Sequence, residues 1–207
     1  MADWESLRTV CNACRRCPLG ETRTNLVFGV GNPEAEILFV GEGPGEQEDL
    51  KGEPFVGKAG ILLDKMLSCI GLSRQENAYI ANIVKCRPPH NRDPLPEERA
   101  ACLPYLREQT RLIRPKIIVC LGKVAATTLI DPSFSIMRSH GVWYERKGFW
   151  MIATFHPAAL LRNESLKRDA YSDLLRIRAK YDELTGSGQK KGPSEATDGQ
   201  KKEETEK

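Results

Sequence analysis

Short, largely apolar runs alternating with helix-patterned segments constrain this chain more than any other feature. Ile37-Leu38-Phe39-Val40, Tyr79-Ile80-Ala81-Asn82-Ile83-Val84 and Ile117-Ile118-Val119-Cys120-Leu121 lack the in-out alternation of a half-exposed strand, so each predicts a strand covered on both faces. Between them, Gly60 to Leu72 carries Ile61, Leu62, Met66, Leu67 and Ile70 at helical spacing, and Pro96 to Ile113 places acids early and arginines late. A short helix follows Gly122 through Leu129, and Leu166 to Leu184 is a last helix rich in Arg and Lys. Trp143-Tyr144-Glu145 and Trp150-Met151-Ile152-Ala153 read as a hairpin around Lys147-Gly148. Strands alternating with helices predict one three-layer α/β/α domain around a central, mostly parallel sheet.

The composition agrees with a domain that has a real core: 40% of the 207 residues are hydrophobic. No apolar run approaches the roughly 18 residues of a membrane span, so no membrane partner is expected. Met1 to Glu5 carries neither a basic region nor an apolar stretch, which predicts a cytoplasmic location with reduced cysteines. The net charge of +3 is mild, so any phosphate-binding surface must be local. Thr185 to Lys207 has Ala196 as its only hydrophobic residue and five Lys against five acids. Such a segment buries too little apolar surface to offset its ordering entropy. The expectation is a domain over 1–184 and a disordered polar tail over 185–207.

In open α/β sheets the site lies beyond the carboxyl ends of the strands. That places Gly41-Glu42-Gly43-Pro44-Gly45, the segment from Asn82 to Cys86, and Phe155-His156-Pro157 at one rim. The glycine turn is not a phosphate loop: it lacks the G-x-G-x-x-G spacing and a Walker lysine, and Pro44 removes a donor. A Glu there, beside a polar Asn and a His, suggests hydrolysis of a small group. Asn82 lies in an otherwise apolar strand, where a buried amide either satisfies structural partners or reads a planar ligand with a donor and an acceptor side by side. His156 follows the last strand and reads as structural or catalytic, and Phe55 as core or stacking platform.

Cysteine spacing is the strongest local signal. Cys11, Cys14 and Cys17 form overlapping C-x-x-C pairs, and Cys86 and Cys102 stand 16 apart across a Pro-rich loop. Four thiolates close a zinc site or hold an iron–sulfur cluster, and the wide second pair leans toward the larger group. Cys69 and Cys120, each inside an apolar segment, read as buried and unligated.

Cys14-x-x-Cys17-Pro-Leu followed by Thr22-Arg23-Thr24, GEGPGEQED (41–49), GEPFVGKAG (52–60), NIVKCRPPHNRDPLPEE (82–98), Cys102 and HPAALLRN (156–163) together resemble the family 4 uracil-DNA glycosylases, the iron–sulfur branch of their superfamily. The resemblance implies a [4Fe–4S] cluster on Cys14, Cys17, Cys86 and Cys102, with Cys11 as an extra cysteine. It implies a monomer that acts on uracil-containing DNA, flips the uracil out and hydrolyses its N-glycosidic bond. Asn82 then reads the Watson–Crick edge, Phe55 stacks on the ring and Glu48 excludes the thymine methyl. His156 donates to uracil O2 with help from the turn amides of Gly41 to Gly43, and Glu42 handles the water and the cationic sugar. Arg87, Arg92, Arg162 and Lys167 are candidate phosphate contacts, and Leu160 or Leu161 a candidate wedge into the base stack. Two rivals stand beside this reading: a non-turnover binder that bonds covalently through His90, and a zinc-stapled nucleotide-binding module without catalysis.

Overall fold

The three apolar runs become neighbouring central strands. A computed structural model of the chain describes residues 3–146 and 148–186. In chain order its main elements are α1 (Trp4–Asn12), α2 (Leu19–Thr22), β1 (Val30–Gly31), β2 (Ile37–Gly41), α3 (Glu46–Lys51), α4 (Lys58–Cys69), β3 (Ala78–Asn82), α5 (Pro96–Ile113), β4 (Ile117–Leu121), α6 (Lys123–Leu129), α7 (Ile136–Ser139), β5 (Trp143–Arg146), β6 (Phe149–Thr154), α8 (Pro157–Arg162) and α9 (Lys167–Thr185). The sheet order is β1-β3-β2-β4-β6-β5, parallel through β3, β2, β4 and β6 and antiparallel at both edges. This is the expected three-layer architecture, with the expected β5–β6 hairpin.

Period-two alternation sorts the strand residues between two cores. Leu38, Val40, Ala81, Ile118 and Cys120 face a cluster that includes Leu7 of α1 and Tyr105 and Leu106 of α5. Ile37, Phe39, Ile80, Ile117 and Val119 face Leu63 and Leu67 of α4 and Leu174 and Ile177 of α9. Each large apolar side chain so buried contributes roughly 1.5–3 kcal/mol. α5 starts where its sequence says it should: Pro96 takes the first helical position, where no N–H is missed, and the Glu98 carboxylate accepts from Leu95 N at 2.7 Å.

Several boundaries differ from expectation. The helix expected from Gly60 to Leu72 spans Lys58–Cys69, which leaves Cys69 exposed at its last turn instead of buried. β3 ends at Asn82, two residues short of Val84, although Ile83 N and Val84 N still donate to the carbonyls of Gly41 and Glu42 at the exit of β2. α9 continues through Thr185 before Gly186 closes it at φ 69°, so the folded unit outruns residue 184. Residues 187–207, where the polar tail was expected, lie outside the described residues. The two-residue β1 and the N-terminal α1 were not anticipated; α1 buries only Leu7 and Cys11, too few to print a periodic pattern. No helix among the described residues is long and apolar enough to cross a membrane.

Candidate active site

Register brings the rim together. Gly41 pairs with Asn82 and Leu121 with Thr154, so the carboxyl ends of β2, β3, β4 and β6 open on one side of the sheet. A cleft of about 560 Å³ lies there, lined among others by Glu42, Gly43, Glu48, Phe55, Asn82 and His156. All of the residues expected to touch the base therefore share one cleft or, for Gly41, its floor.

Gly41 is glycine because its neighbours leave no room for a side chain. A Cβ there would meet Asn82 Oδ1 at 2.5 Å and Phe55 Cζ at 2.6 Å. The absent side chain lets the carboxamide and the ring close over the strand end. Asn82 is 2% exposed, and its Oδ1 has no hydrogen-bond partner among the described residues. Leaving a buried acceptor unpaired costs about 1–3 kcal/mol, so this oxygen marks a place where a donor is due.

Phe55 holds a left-handed backbone at φ 54°, a conformation that costs a non-glycine residue on the order of 1–3 kcal/mol. Two side chains brace it. Buried Arg74 donates to the carbonyls of Pro54 and Phe55 at 2.9 and 3.0 Å and pairs with Asp64. Glu48 Oε1 accepts from Val56 N and Gly57 N at 2.9 Å each, while Oε2 accepts from Gly45 N. Glu48 Oε1 is thus occupied in holding the loop that carries Phe55 and Oε2 in capping the start of its own helix α3, roles that sequence reasoning missed, as it missed Arg74.

His156 caps α8: its Nδ1 accepts from Ala158 N at 3.1 Å, and its ring lies 5.5 Å from that of Phe55. An accepting Nδ1 leaves the proton of the neutral ring on Nε2. Burial, aided by the charge of Arg162 and opposed by Glu48, pushes the imidazole down to about 4, so it is a neutral donor at physiological pH. Glu42 moves the other way. Burial above all, then the charge and close approach of Asp93, raise it to about 7 against the pull of Arg99. Asp93, Arg99 and Lys123 were not singled out from the sequence; Asp93 and Lys123 line the cleft and Arg99 the groove beside it.

The expected DNA contacts separate. Arg162 lines the cleft, Arg87 donates to Asn91 at 2.8 Å and faces Glu46, and Lys167 pairs with Glu164 on the surface. Arg92 is committed to Glu98 by two bonds of 2.8 and 2.7 Å, so its guanidinium braces its own loop. Leu160 is buried in the core and cannot wedge into a base stack; Leu161, 46% exposed, remains the candidate. His90 is exposed in a left-handed turn and does not line the cleft, although its neighbour Asn91 does.

A second pocket is lined by Cys11, Cys14, Cys17, Cys86 and Cys102, brought together from the N-terminal segment, the exit of β3 and α5. Among the described residues no three Cys, His or acidic side chains stand close enough to hold one metal ion. Five cysteine sulfurs around one pocket, two of them accepting hydrogen bonds from neighbouring basic residues, are a donor set that fits a thiolate-bound group. Arg23 Nη1 donates to Cys86 Sγ at 3.2 Å and Lys85 N to Cys102 Sγ at 3.3 Å, and the buried Lys85 side chain supplies a positive charge. Lys85 Nζ also donates to the Asn82 carbonyl at 2.8 Å, linking the thiol pocket to the strand end that carries the amide.

Comparison with known proteins points the same way. The family model described as the Uracil DNA glycosylase superfamily matches residues 28–176. A type-4 uracil-DNA glycosylase of Archaeoglobus fulgidus is 53% identical over 173 residues, covering 80% of this chain and 86% of the relative. One from Thermotoga maritima is 48% identical, covering 78% and 85%. A type-5 uracil-DNA glycosylase of Thermus thermophilus is more distant at 30%, covering 74% and 86%. With the family model spanning the sheet and both type-4 relatives aligned along most of their own length, the chain belongs to the type-4 uracil-DNA glycosylases of the uracil-DNA glycosylase superfamily.

Proposed function

We propose that this protein removes uracil from DNA by hydrolysing the N-glycosidic bond of a flipped nucleotide. The observation that carries the reading is Asn82: a buried carboxamide with an unpaired Oδ1, set beside the edge of Phe55 in a cleft of about 560 Å³, room enough for a flipped nucleotide. Uracil offers N3–H to that oxygen and O4 to the amide N–H. Cytosine reverses both groups, leaving two mismatches at about 1–3 kcal/mol each.

As the glycosidic bond breaks, positive charge grows on the sugar and negative charge on uracil O2. Neutral His156, with its proton on Nε2, donates to O2, and the backbone amides of the 41–43 turn assist. Glu42 in its anionic form orients or deprotonates the water and faces the cationic sugar. Arg162, Arg87 and Lys167 contact phosphates, with Arg92 serving them indirectly by bracing the loop. Leu161 fills the gap in the stack. Cys14, Cys17, Cys86 and Cys102 would hold a [4Fe–4S] cluster, whose contribution is structural: it ties the N-terminal segment to the loop that leads from Asn82. Cys11 lines the same pocket without being needed for four ligands.

Incubating the full chain with uracil-containing oligonucleotides, then cleaving the product with alkali, tests the function. Free uracil and a strand break at the uracil position are expected; an uncut strand would overturn the reading. Asn82→Ala should reduce excision by about ten- to a hundredfold, with affinity for uracil-free DNA retained because phosphate contacts set that affinity. Iron and acid-labile sulfide measured on purified variants test the cluster. Cys86→Ala and Cys102→Ala should lose both, while Cys11→Ala, Cys69→Ala and Cys120→Ala keep them. Unchanged iron in the Cys86 and Cys102 variants would refute the ligand set.

A further inference from the structure

Beside the base-reading cleft lies a second groove of about 550 Å³, between α5 and α6, and Asp93, Lys123 and Val124 line both spaces. The exit of β4 makes them continuous. Gly122, at φ 90°, follows the last residue of that strand, and a Cβ there would meet His156 Cβ at 2.8 Å. This close approach brings Lys123, the next residue, to the boundary between cleft and groove.

Two cations in the groove are not spent on the protein. Lys123 is exposed and, among the described residues, makes no hydrogen bond or ion pair. Arg99 is half-buried; its Nη1 reaches Thr128 Oγ1 only at 3.4 Å, and its Nε has no partner among the described residues. A guanidinium carries five N–H donors in a fixed fork, so most of its capacity is open. Arg92 shows the contrast, with both terminal nitrogens bonded to Glu98. Against the two cations the described lining holds one acid, Asp93, while Pro96, Leu103 and Pro132 give the groove apolar walls. Cations beside apolar walls match the make-up of a nucleotide, an anionic phosphate next to a base with flat apolar faces.

We propose that this groove is a second nucleotide subsite, which takes the nucleotide adjoining the uracil on the same strand. Arg99 and Lys123 meet its phosphate, and its base lies against Pro96, Leu103 and Pro132. The proposal rests on the cleft being the uracil site. Continuity selects this occupant: a strand whose uracil fills the cleft must leave through the mouth, where Asp93 and Lys123 line both spaces. Phosphate contacts position a strand without reading its sequence, so the subsite adds affinity with little preference for the neighbouring base.

The test is a series of single-stranded oligonucleotides in which one nucleotide at a time is added on the 5′ or the 3′ side of the uracil. The readout is kcat/KM for uracil release by the full chain. In the wild type, the first nucleotide added on one of the two sides should raise kcat/KM by about fivefold for each cation it meets, the effect of unit charges at contact distance in water. The gain should fall on KM, as binding common to ground and transition states does. Arg99→Gln combined with Lys123→Gln should remove the gain on that side and leave the other side as it was. Taking the ratio of longer to shorter substrate within each enzyme cancels any effect of Arg99 on Glu42. Thermal melting checks folding, and Lys123→Gln alone, at an exposed position, should lose part of the gain even if the double variant folds poorly. A wild type that releases uracil without a one-sided gain, a gain that survives both variants, or equal losses on both sides would overturn the subsite and leave the cleft reading in place. No release from any oligonucleotide would overturn the cleft reading, and the subsite with it.

Discussion

Glu42→Gln is expected to slow single-turnover uracil excision by about a hundred- to a thousandfold while leaving DNA affinity nearly unchanged. The amide keeps the size of the carboxylate and loses its charge. It cannot take a proton from water, and it cannot stabilise a cationic sugar. That charge develops only as the bond breaks, so the loss falls on the rate rather than on binding. Losing one well-placed electrostatic group costs about 2.7–4 kcal/mol of transition-state stabilisation. Instability should not account for such a loss, because Gln keeps the volume of Glu42 and removes a carboxyl whose charged form burial disfavours. Thermal melting should therefore hold or rise while the rate falls. A variant within about threefold of wild type, a barrier change near 0.7 kcal/mol, would mean that Glu42 only shapes the turn.

The sequence carried the sheet clearly because parallel strands buried on both faces are written as largely apolar runs, and Ile117 to Leu121 matches β4 residue for residue. It carried the rim as well, since the strand ends fix where Gly41, Asn82 and His156 meet. The parts it did not carry depend on contacts between distant segments. Nothing local tells that the Glu48 carboxylate is spent on Val56 N and Gly57 N, or that Arg74 reaches back to the carbonyls beneath Phe55. Leu160 and Leu161 are adjacent and alike in composition; only helix phase decides that one is core and the other exposed. Arg92 looks like a free cation until Glu98, six residues on, turns out to be buried beneath it. Asp93 is one acid in a polar loop, and only the fold brings it to the cleft that Glu42 lines. The cysteine spacing was legible as a clasp, and Cys11, grouped with Cys14 and Cys17 by their overlapping C-x-x-C pairs, lines the same pocket as the four expected ligands.

His156→Ala is expected to cost about a hundred- to a thousandfold in excision, the usual consequence of deleting a donor aimed at a developing oxyanion. The geometry fixes which nitrogen is lost: Nδ1 accepts from Ala158 N, so the proton that meets uracil O2 is on Nε2. The same bond complicates the Ala variant, because removing the N-cap acceptor of α8 destabilises the helix start by about 1 kcal/mol. His156→Asn separates the two roles. Asn caps a helix as well as any residue, so melting should be retained, while its shorter side chain withdraws the donor and excision should still fall. The pH profile offers a second check. Burial holds the imidazole near 4, so its neutral form is favoured throughout the working range and lost only as pH approaches that value. Removing His156 should therefore lower the whole profile without moving an acid limb centred near 7, which belongs to Glu42. Leaving-group chemistry gives the sharpest test. A 5-fluorouracil base leaves as a less basic anion and needs less help at O2, so the His156 variants should be impaired less on it than on uracil. An equal deficit on both bases, with melting intact, would place His156 in ground-state positioning of the base and take it out of leaving-group stabilisation.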